Sequence, residues 1–395
     1  MALAEPGGAD ARHASRPAHQ PGRDTVTLGR RSFLAWLAMS AAARGQSTTP
    51  GYDWQGVSRV VAIGDVHGDK DALVAVLRMA GLVDANERWI GGAAHVVQVG
   101  DVPARGPQTR QAFDLLMRLE AEALAAGGRV HALIGNHEAG AMNGDMRNVL
   151  PAEFEAFRQA DSEQRLQAAY EREVAALRRS GEWPATAAAR DAFRTSWFES
   201  HPPGWAEHQE AFAPAGRYGS WIRRNNAIVR LNDTLFVHGG ISPKYAATPP
   251  STINDTIRRE LARPPGSAAP LWDEIAGPLR YRGLAEDDDK APEAHVDRVL
   301  AAQGVRRIVI GHTVTLTAIL PRYQARVVNV DLGLSRFYGR PPACLVLEGR
   351  SAYVWHRQTK IEFPDPGTAD DSAYLKAVIA ADDQPSPVAK LLNGR

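Results

Sequence analysis

From about residue 57 onward, short runs of β-branched and aliphatic residues alternate with longer Ala/Leu-rich stretches whose apolar positions recur at helical spacing. Val60-Val61-Ala62-Ile63, Val96-Val97-Gln98-Val99, Val130 to Ile134, Leu235-Phe236-Val237 and Ile308-Val309-Ile310 read as buried strands. Strands alternating with helices predict an α/β fold, and no internal repeat or heptad interrupts the pattern. Between the third and fourth runs, Pro151 to Ser180 and Ala185 to Ser200 carry helical spacing. This predicts a helical insertion over about 145–215 that covers the mouth of any site the strands build. Trp197, Phe198, Trp205, Phe212, Tyr218 and Trp221 crowd its end, either as packing or as a groove for a ring or a peptide. Beyond about residue 358 the chain turns rich in Pro, Asp and Ala. A short helix near Ser372–Ala381 and then a mobile tail, over 359–395, are expected there.

Composition narrows the possibilities. The 395 residues are 44% hydrophobic and 23% charged, with 46 Lys+Arg against 45 Asp+Glu, a formal net charge of +1. A nucleic-acid partner gains no support from that balance. A single cysteine, Cys344, excludes an intrachain disulfide framework and any Cys-rich zinc module. The first 45 residues read as an address. Arg30-Arg31-Ser32-Phe33-Leu34 opens a short apolar run, and Ala41-Ala42-Ala43 follows as a small-residue cleavage site. The paired arginines resemble a twin-arginine signal, which predicts bacterial export to the periplasm or medium through that machinery, and a cytoplasmic location if the signal is unused. No stretch is long and apolar enough for an ordinary membrane-spanning helix.

The chemistry lies immediately after the strands. The five runs lead in order into Gly64-Asp65-Val66-His67-Gly68-Asp69, Gly100-Asp101-Val102-Pro103-Ala104-Arg105-Gly106, Gly135-Asn136-His137-Glu138, His238-Gly239-Gly240 and Gly311-His312-Thr313. Ligands of open α/β sheets bind beyond the carboxyl ends of strands. Taken singly, Gly-Asp after a strand is a common turn or helix cap, and a lone histidine is more often a satisfied structural residue. His95, His131 and His201 are read that way. The ordered set is different, because carboxylates and imidazoles gathered at one edge repel and lose solvent unless a cation compensates. Oxygen and nitrogen donors without thiolate suit manganese, iron, zinc or nickel. Asp65, His67 and Asp101 form one ligand set. Asp101, Asn136, His238 and His312 form a second, with Asp101 shared between two divalent ions.

These motifs, in this order, resemble those of the calcineurin-like metallophosphoesterases, and within them the phosphoprotein phosphatases. Met142-Asn143-Gly144-Asp145-Met146-Arg147, Tyr218 to Arg223 and Gly277-Pro278-Leu279-Arg280-Tyr281-Arg282-Gly283 are similar to strings of the Shewanella-like branch. The resemblance implies a two-sheet β sandwich flanked by helices, spanning about 50–358. It implies a dinuclear metal centre, manganese foremost, that hydrolyses phosphomonoesters of proteins or small molecules. Two such metals lower the pKa of a bridging water, and the resulting hydroxide attacks phosphorus in line. His137 is then the general acid for the leaving oxygen, and Arg105 and Arg282 are phosphate clamps, with Arg280 a competitor for the latter role. The phosphatase pattern carries an aspartate where this chain has Ala104. Without that carboxylate beside His137, unless another acid such as Glu138 replaces it, a phenol is the easier leaving group and phosphotyrosine the favoured substrate. A bis(nucleosyl) polyphosphate hydrolase on the same scaffold is the rival enzyme. An inactive binding module is disfavoured because all six ligand positions are retained.

Overall fold

Val60, Val61, Ala62 and Ile63 are all buried, as a strand covered on both faces requires. The other apolar runs behave alike, and twelve strands form in the computed structural model, which describes residues 51–263, 270–286 and 290–393. They are β1 (Asp53–Trp54), β2 (Arg59–Ile63), β3 (His95–Gln98), β4 (Arg129–Ala132), β5 (Ile228–Leu231), β6 (Thr234–Val237), β7 (Arg307–Ile310), β8 (Leu320–Arg322), β9 (Val327–Asn329), β10 (Ala343–Glu348), β11 (Ser351–His356) and β12 (Thr359–Glu362). Two mixed sheets result, in the orders β1-β5-β6-β7-β9-β8 and β12-β11-β10-β2-β3-β4. β2, β3 and β4 run parallel in one sheet, and β6, β7 and β9 in the other.

Alternate residues along these strands feed two different cores, as the period of two demands. Val60, Ala62, Val97, Phe236, Val309 and Leu345 meet in the layer between the sheets. Their neighbours Val61, Ile63, Val96, Leu235, Ile308 and Val346 face the flanking helices. The sandwich therefore directs the carboxyl ends of its parallel strands towards a common edge.

The stretch after β4 is helical, with helices Pro151–Phe157, Ser162–Ser180, Ala187–Ser200, Trp205–Phe212 and Arg217–Ile222. Its aromatic residues are mostly packing. Tyr218 stacks on Phe113 with ring centroids 5.0 Å apart, and Phe212 and Trp221 join the same core. Leu166, Tyr170 and Trp197 build a small separate core between the two long helices. The expected short helix forms at Ser372–Ala381, but the expectation of a mobile tail over 359–395 needs correction, since the segment after 358 is part of the fold. β12 pairs with β11. The helix Ser372–Ala381 buries Tyr374, Leu375 and Val378 against the inter-sheet core, and Val388 follows them. The Tyr374 hydroxyl donates to the Ile319 carbonyl at 2.7 Å, and the His356 ring meets the Asp382 carboxylate at 2.7 Å. A single apolar helical stripe sufficed to anchor a segment whose overall composition is polar. The expected export signal lies outside the described residues.

Candidate metal centre

Four loops from the two sheets meet at Asp101. Its backbone sits in the left-handed region at φ 57°, a conformation Asp tolerates better than most residues. That turn aims the Asp101 carbonyl at the Val66 and His67 N–H groups, both at 3.0 Å. Its carboxylate Oδ1 accepts the His137 backbone N–H at 2.8 Å. Glu138 holds the turn from below. Its Oε2 accepts the N–H groups of Asp101 at 2.9 Å and Gly135 at 2.8 Å, and its Oε1 accepts that of Val102 at 2.7 Å. Gly135 is required by contact, because a Cβ there would lie 2.3 Å from Asp101 Oδ1.

Asp65, His67, Asp101, His137, His238 and His312 converge on this turn. His67, Asp101 and His137 form one group whose donor atoms lie within 4.8 Å of one another, and Asp101, His238 and His312 form another. Asp65 Oδ2 is 3.9 Å from His67 Nε2. Asp65 also accepts the His312 N–H on both oxygens at 3.2 Å. Asn136 Oδ1 is 3.1 Å from His238 Nε2. All six residues singled out from the sequence as ligands thus lie around Asp101, which both groups share.

The donor chemistry fits cations. His238 Nδ1 lies 2.9 Å from the Val99 carbonyl, which requires the proton on that nitrogen. Its Nε2 lone pair then faces Asp101 Oδ1 at 3.3 Å and the Asn136 oxygen. Three acceptors pointing at one another repel unless a positive charge lies among them. His67 repeats the arrangement, with Nδ1 on the Pro103 carbonyl at 3.3 Å and Nε2 turned inward. The carboxylates agree. Burial, then Asp331 and Asp101, pushes the Asp65 pKa well above the ordinary range. Burial also raises Asp331 to about 6, against the pull of the Gly333 N–H. Burial lowers His67 to about 3, aided by His137, and His312 to about 2, aided by His238. At His238 burial is outweighed by Asp101, and the pKa rises. Asp65 and Asp331 resist ionisation, whereas at Asp101 burial is outweighed by His137 and His238, which hold it well below its ordinary range. The acids beyond that cluster therefore lack the positive charge that a cation would supply.

Arg105 spans the open side. Its Nη1 is 3.1 Å from His67 Nε2 and its Nη2 is 3.4 Å from His137 Nε2. The Tyr338 hydroxyl bonds the same guanidinium, which lies 5.5 Å from the Phe337 and Tyr338 ring centroids. Arg282 bonds Thr313 Oγ1 at 3.3 Å, next to His312, and Glu286 at 3.2 Å. Arg280 pairs with Asp273 and lines a cavity of about 200 Å³ beside His137, together with Ala104, Asp145, Arg147 and Trp272. Glu138 does not replace the carboxylate missing at 104, because both of its oxygens are committed to backbone. Burial lowers the His137 pKa, and Asp101 and then Asp145 are the acids that oppose it.

The sequence reading missed Tyr338 and Asp331. Asp331 is buried, with Oδ2 unpartnered among the described residues, and it lies two residues beyond the end of β9. An apolar run ending in Asp-x-Gly (Val327 to Gly333) was the available signal, the same form as the motifs that were recognised. No local signal marks Tyr338.

A two-sheet sandwich with histidine and carboxylate groups nested at its strand ends is the architecture of a metal-dependent phosphoester hydrolase. The family model described as calcineurin-like phosphoesterase matches residues 58–316, and the chain belongs to that family. It is 31% identical over 298 residues to an uncharacterized protein of Schizosaccharomyces pombe, covering 72% of this chain and 76% of that one. It is 28% identical over 284 residues to Shewanella-like protein phosphatase 2 of Arabidopsis thaliana, covering 70% and 72%. Among solved structures, it is similar to the cold-active protein-tyrosine phosphatase of a psychrophile Shewanella sp., with a TM-score of 0.62 and 25% identity over 80% of this chain and 83% of that chain.

Proposed function

We propose that this enzyme dephosphorylates proteins at a centre of two divalent cations, manganese foremost, and prefers phosphotyrosine. Asp65 and His67 would hold one ion and Asn136, His238 and His312 the other, with Asp101 common to the two sets. The observation that carries this reading is the position of Asp101, common to both donor groups. When bound, such a pair supplies an activated water for in-line attack and positive charge for the phosphoryl oxygens. The chain's own residues do the rest. Arg105 offers its fork to phosphoryl oxygens, held in place by Tyr338 and Phe337. Arg282, beside His312, is the second phosphate contact. His137 is the group placed to pass a proton to the departing oxygen.

The preference follows from Ala104. With no carboxylate at that position to support His137, a phenolate, which leaves with little protonation, is favoured over a serine alkoxide. The names of the similar proteins, two protein phosphatases and one of them a tyrosine phosphatase, support the reading. The test is a comparison of kcat/KM for phosphotyrosine peptide, phosphoserine peptide and diadenosine tetraphosphate, using metal-stripped protein restored with single metals. A clear preference for phosphoserine or for the dinucleotide overturns the proposal. We also infer export through the paired arginines Arg30 and Arg31. Residues 1–50 fused to a reporter, with and without Arg30→Lys/Arg31→Lys, test this, and export of the lysine variant refutes it.

A further inference from the structure

The strands that deliver the metal ligands at their carboxyl ends have a second rim at their amino ends. There a cavity of about 570 Å³ opens between the sheets. Val60 of β2, Thr234 of β6 and Arg307 of β7 form its inner wall, and the β10–β11 turn closes one side. At about 3.3 Å per residue, strands of this length separate the two rims by roughly 13–17 Å.

The charge of this cavity is lopsided. Arg230, Arg306, Arg307 and Arg350 line it against Asp233 and Asp365. Arg230 is satisfied by Asp53 and by the Gln303 carbonyl at 2.9 Å. Among the described residues, the Arg306 guanidinium has only a 3.7 Å contact with the exposed Asp233. Arg350 is exposed and makes no hydrogen bond or ion pair among the described residues.

Arg307 is the unusual member. It is 6% exposed, yet its Nε has no partner. The side chain's one hydrogen bond among the described residues, from Nη2 to the Pro364 carbonyl, is long at 3.4 Å. The guanidinium lies 5.9 Å from the centroid of Phe363, and no carboxylate is within ion-pair reach among the described residues. Burial lowers its pKa, opposed by Asp233 and Asp365 at longer range. A guanidinium keeps its charge in proteins, and burying it without a bonded counter-ion is costly. Arg307 nonetheless lines a polar cavity, with two more under-used arginines at its edge.

We propose that this cavity binds a tetrahedral oxyanion, phosphate foremost, with Arg307 as its base and Arg306 and Arg350 as its rim. A planar fork of N–H donors matches two oxygens of such an ion. The cavity is larger than one phosphate, so the anion is either free or the head of a small phosphorylated molecule. The site is independent of the substrate assigned to the metal centre.

Calorimetric titration of the full-length, metal-loaded protein with inorganic phosphate at constant ionic strength tests the assignment. Asp101→Asn disables the metal centre and is expected to retain one phosphate per chain, displaced by sulfate and not by chloride. Arg306→Glu/Arg350→Glu changes only exposed side chains, so it keeps the fold. It is expected to weaken that site tenfold or more while kcat on p-nitrophenyl phosphate stays at the wild-type value. Pyrophosphate in place of phosphate distinguishes the two forms of ligand, since tighter binding in Asp101→Asn marks a longer phosphorylated molecule and weaker binding marks the free ion. Absence of phosphate binding in Asp101→Asn, or wild-type affinity of this site in the double variant, overturns the proposal.

Discussion

Glu138→Gln isolates the clasp beneath the metal centre, because it preserves shape and removes one acceptor. In the native site three backbone N–H groups converge on the carboxylate, two on Oε2 and one on Oε1. A glutamine can keep its oxygen at the doubly bonded position, towards Asp101 and Gly135. Its amide NH2 then faces the Val102 N–H, donor against donor. Burial and then Asp101 raise the Glu138 pKa to about 7, so the comparison is made above that pH. There a hydrogen bond to the charged group contributes about 1.5–3 kcal/mol, and a buried N–H left unpaired costs about 1–3 kcal/mol. The two figures overlap, so a loss of about 3 kcal/mol bounds the effect. If all of it fell on the loop that presents Asp101, cation affinity would drop about 100-fold. Partial relaxation brings the expectation to 10–100-fold, the range for partners that orient metal ligands. The assay is manganese activation of p-nitrophenyl phosphate hydrolysis in metal-stripped protein, with the melting temperature recorded with and without manganese. The activation midpoint should rise by that factor, with kcat at saturating metal within a few-fold of wild type. If the midpoint does not move while the melting temperature falls, Glu138 is only a staple between loops, and the reasoning fails.

Other outcomes follow from the same geometry. Gly135→Ala would press a Cβ to 2.5 Å from the Asp101 nitrogen as well as onto its carboxylate, so metal content should fall below half of wild type by mass spectrometry while the far-UV spectrum is kept. Ala104→Asp exchanges one left-handed residue (φ 58°) for a type that accepts that conformation more readily, and it places a carboxylate in the wall of the cavity beside His137. Phosphoserine turnover should rise several-fold relative to phosphotyrosine, and an unchanged ratio would show that position 104 does not set leaving-group preference. The buried pair His95 and His131, 3.1 Å apart, makes stability depend on pH. Burial lowers their pKa values to about 4 and about 3, below the ordinary value of about 6.5. The unfolded chain therefore binds more protons between those limits, and their contribution is lost as pH falls below about 6.5. His131→Gln should flatten the melting temperature between pH 6.5 and 4 relative to wild type, and parallel curves would contradict this.

The legibility of the site tracked how local its signals were. Asp65, His67, Asp101, Asn136, His238 and His312 could be read because each stands within a few residues of a continuous apolar run, and strand polarity alone sends such positions to one edge. Asp331 obeys the same rule, but β9 is short and ends in the polar Asn329, which hid the run. Tyr338 reaches Arg105 across 233 positions of sequence, and no spacing rule encodes that contact. Glu138 shows the limit of adjacency. It follows His137 directly, yet one step along a helix turns a side chain by about 100°, and its carboxylate faces the Asp101 turn instead. The carboxyl-terminal segment was obscured by averaging, since Pro and Asp dominate its composition while Tyr374, Leu375 and Val378 supply the buried stripe.

Parallel strands align both of their ends, and this fold uses the two rims for opposite charges. At the carboxyl rim, glycine turns and left-handed residues such as His67, Asp101 and His312 fold side chains back over the strand ends, so carboxylates and imidazoles converge on a small volume. Cations held there, as proposed, would remove their mutual repulsion. At the amino rim β6 is entered through the Asn232–Asp233 turn, with Asn232 left-handed at φ 53°, and four arginines face two aspartates there. Long side chains are needed to cross the gap between the sheets there, and arginine is the one polar type that spans it and stays charged when buried. Arg307 is the first residue of β7, and the candidate ligand His312 lies two residues beyond the last. A substitution in the middle of β7 should therefore disturb both rims together. Val309→Ala would leave a cavity between the sheets, where that side chain is fully buried, and about 1–3 kcal/mol of stability should be lost. The charge of each rim would be unaltered, so cation and phosphate affinities should weaken only in step with folding.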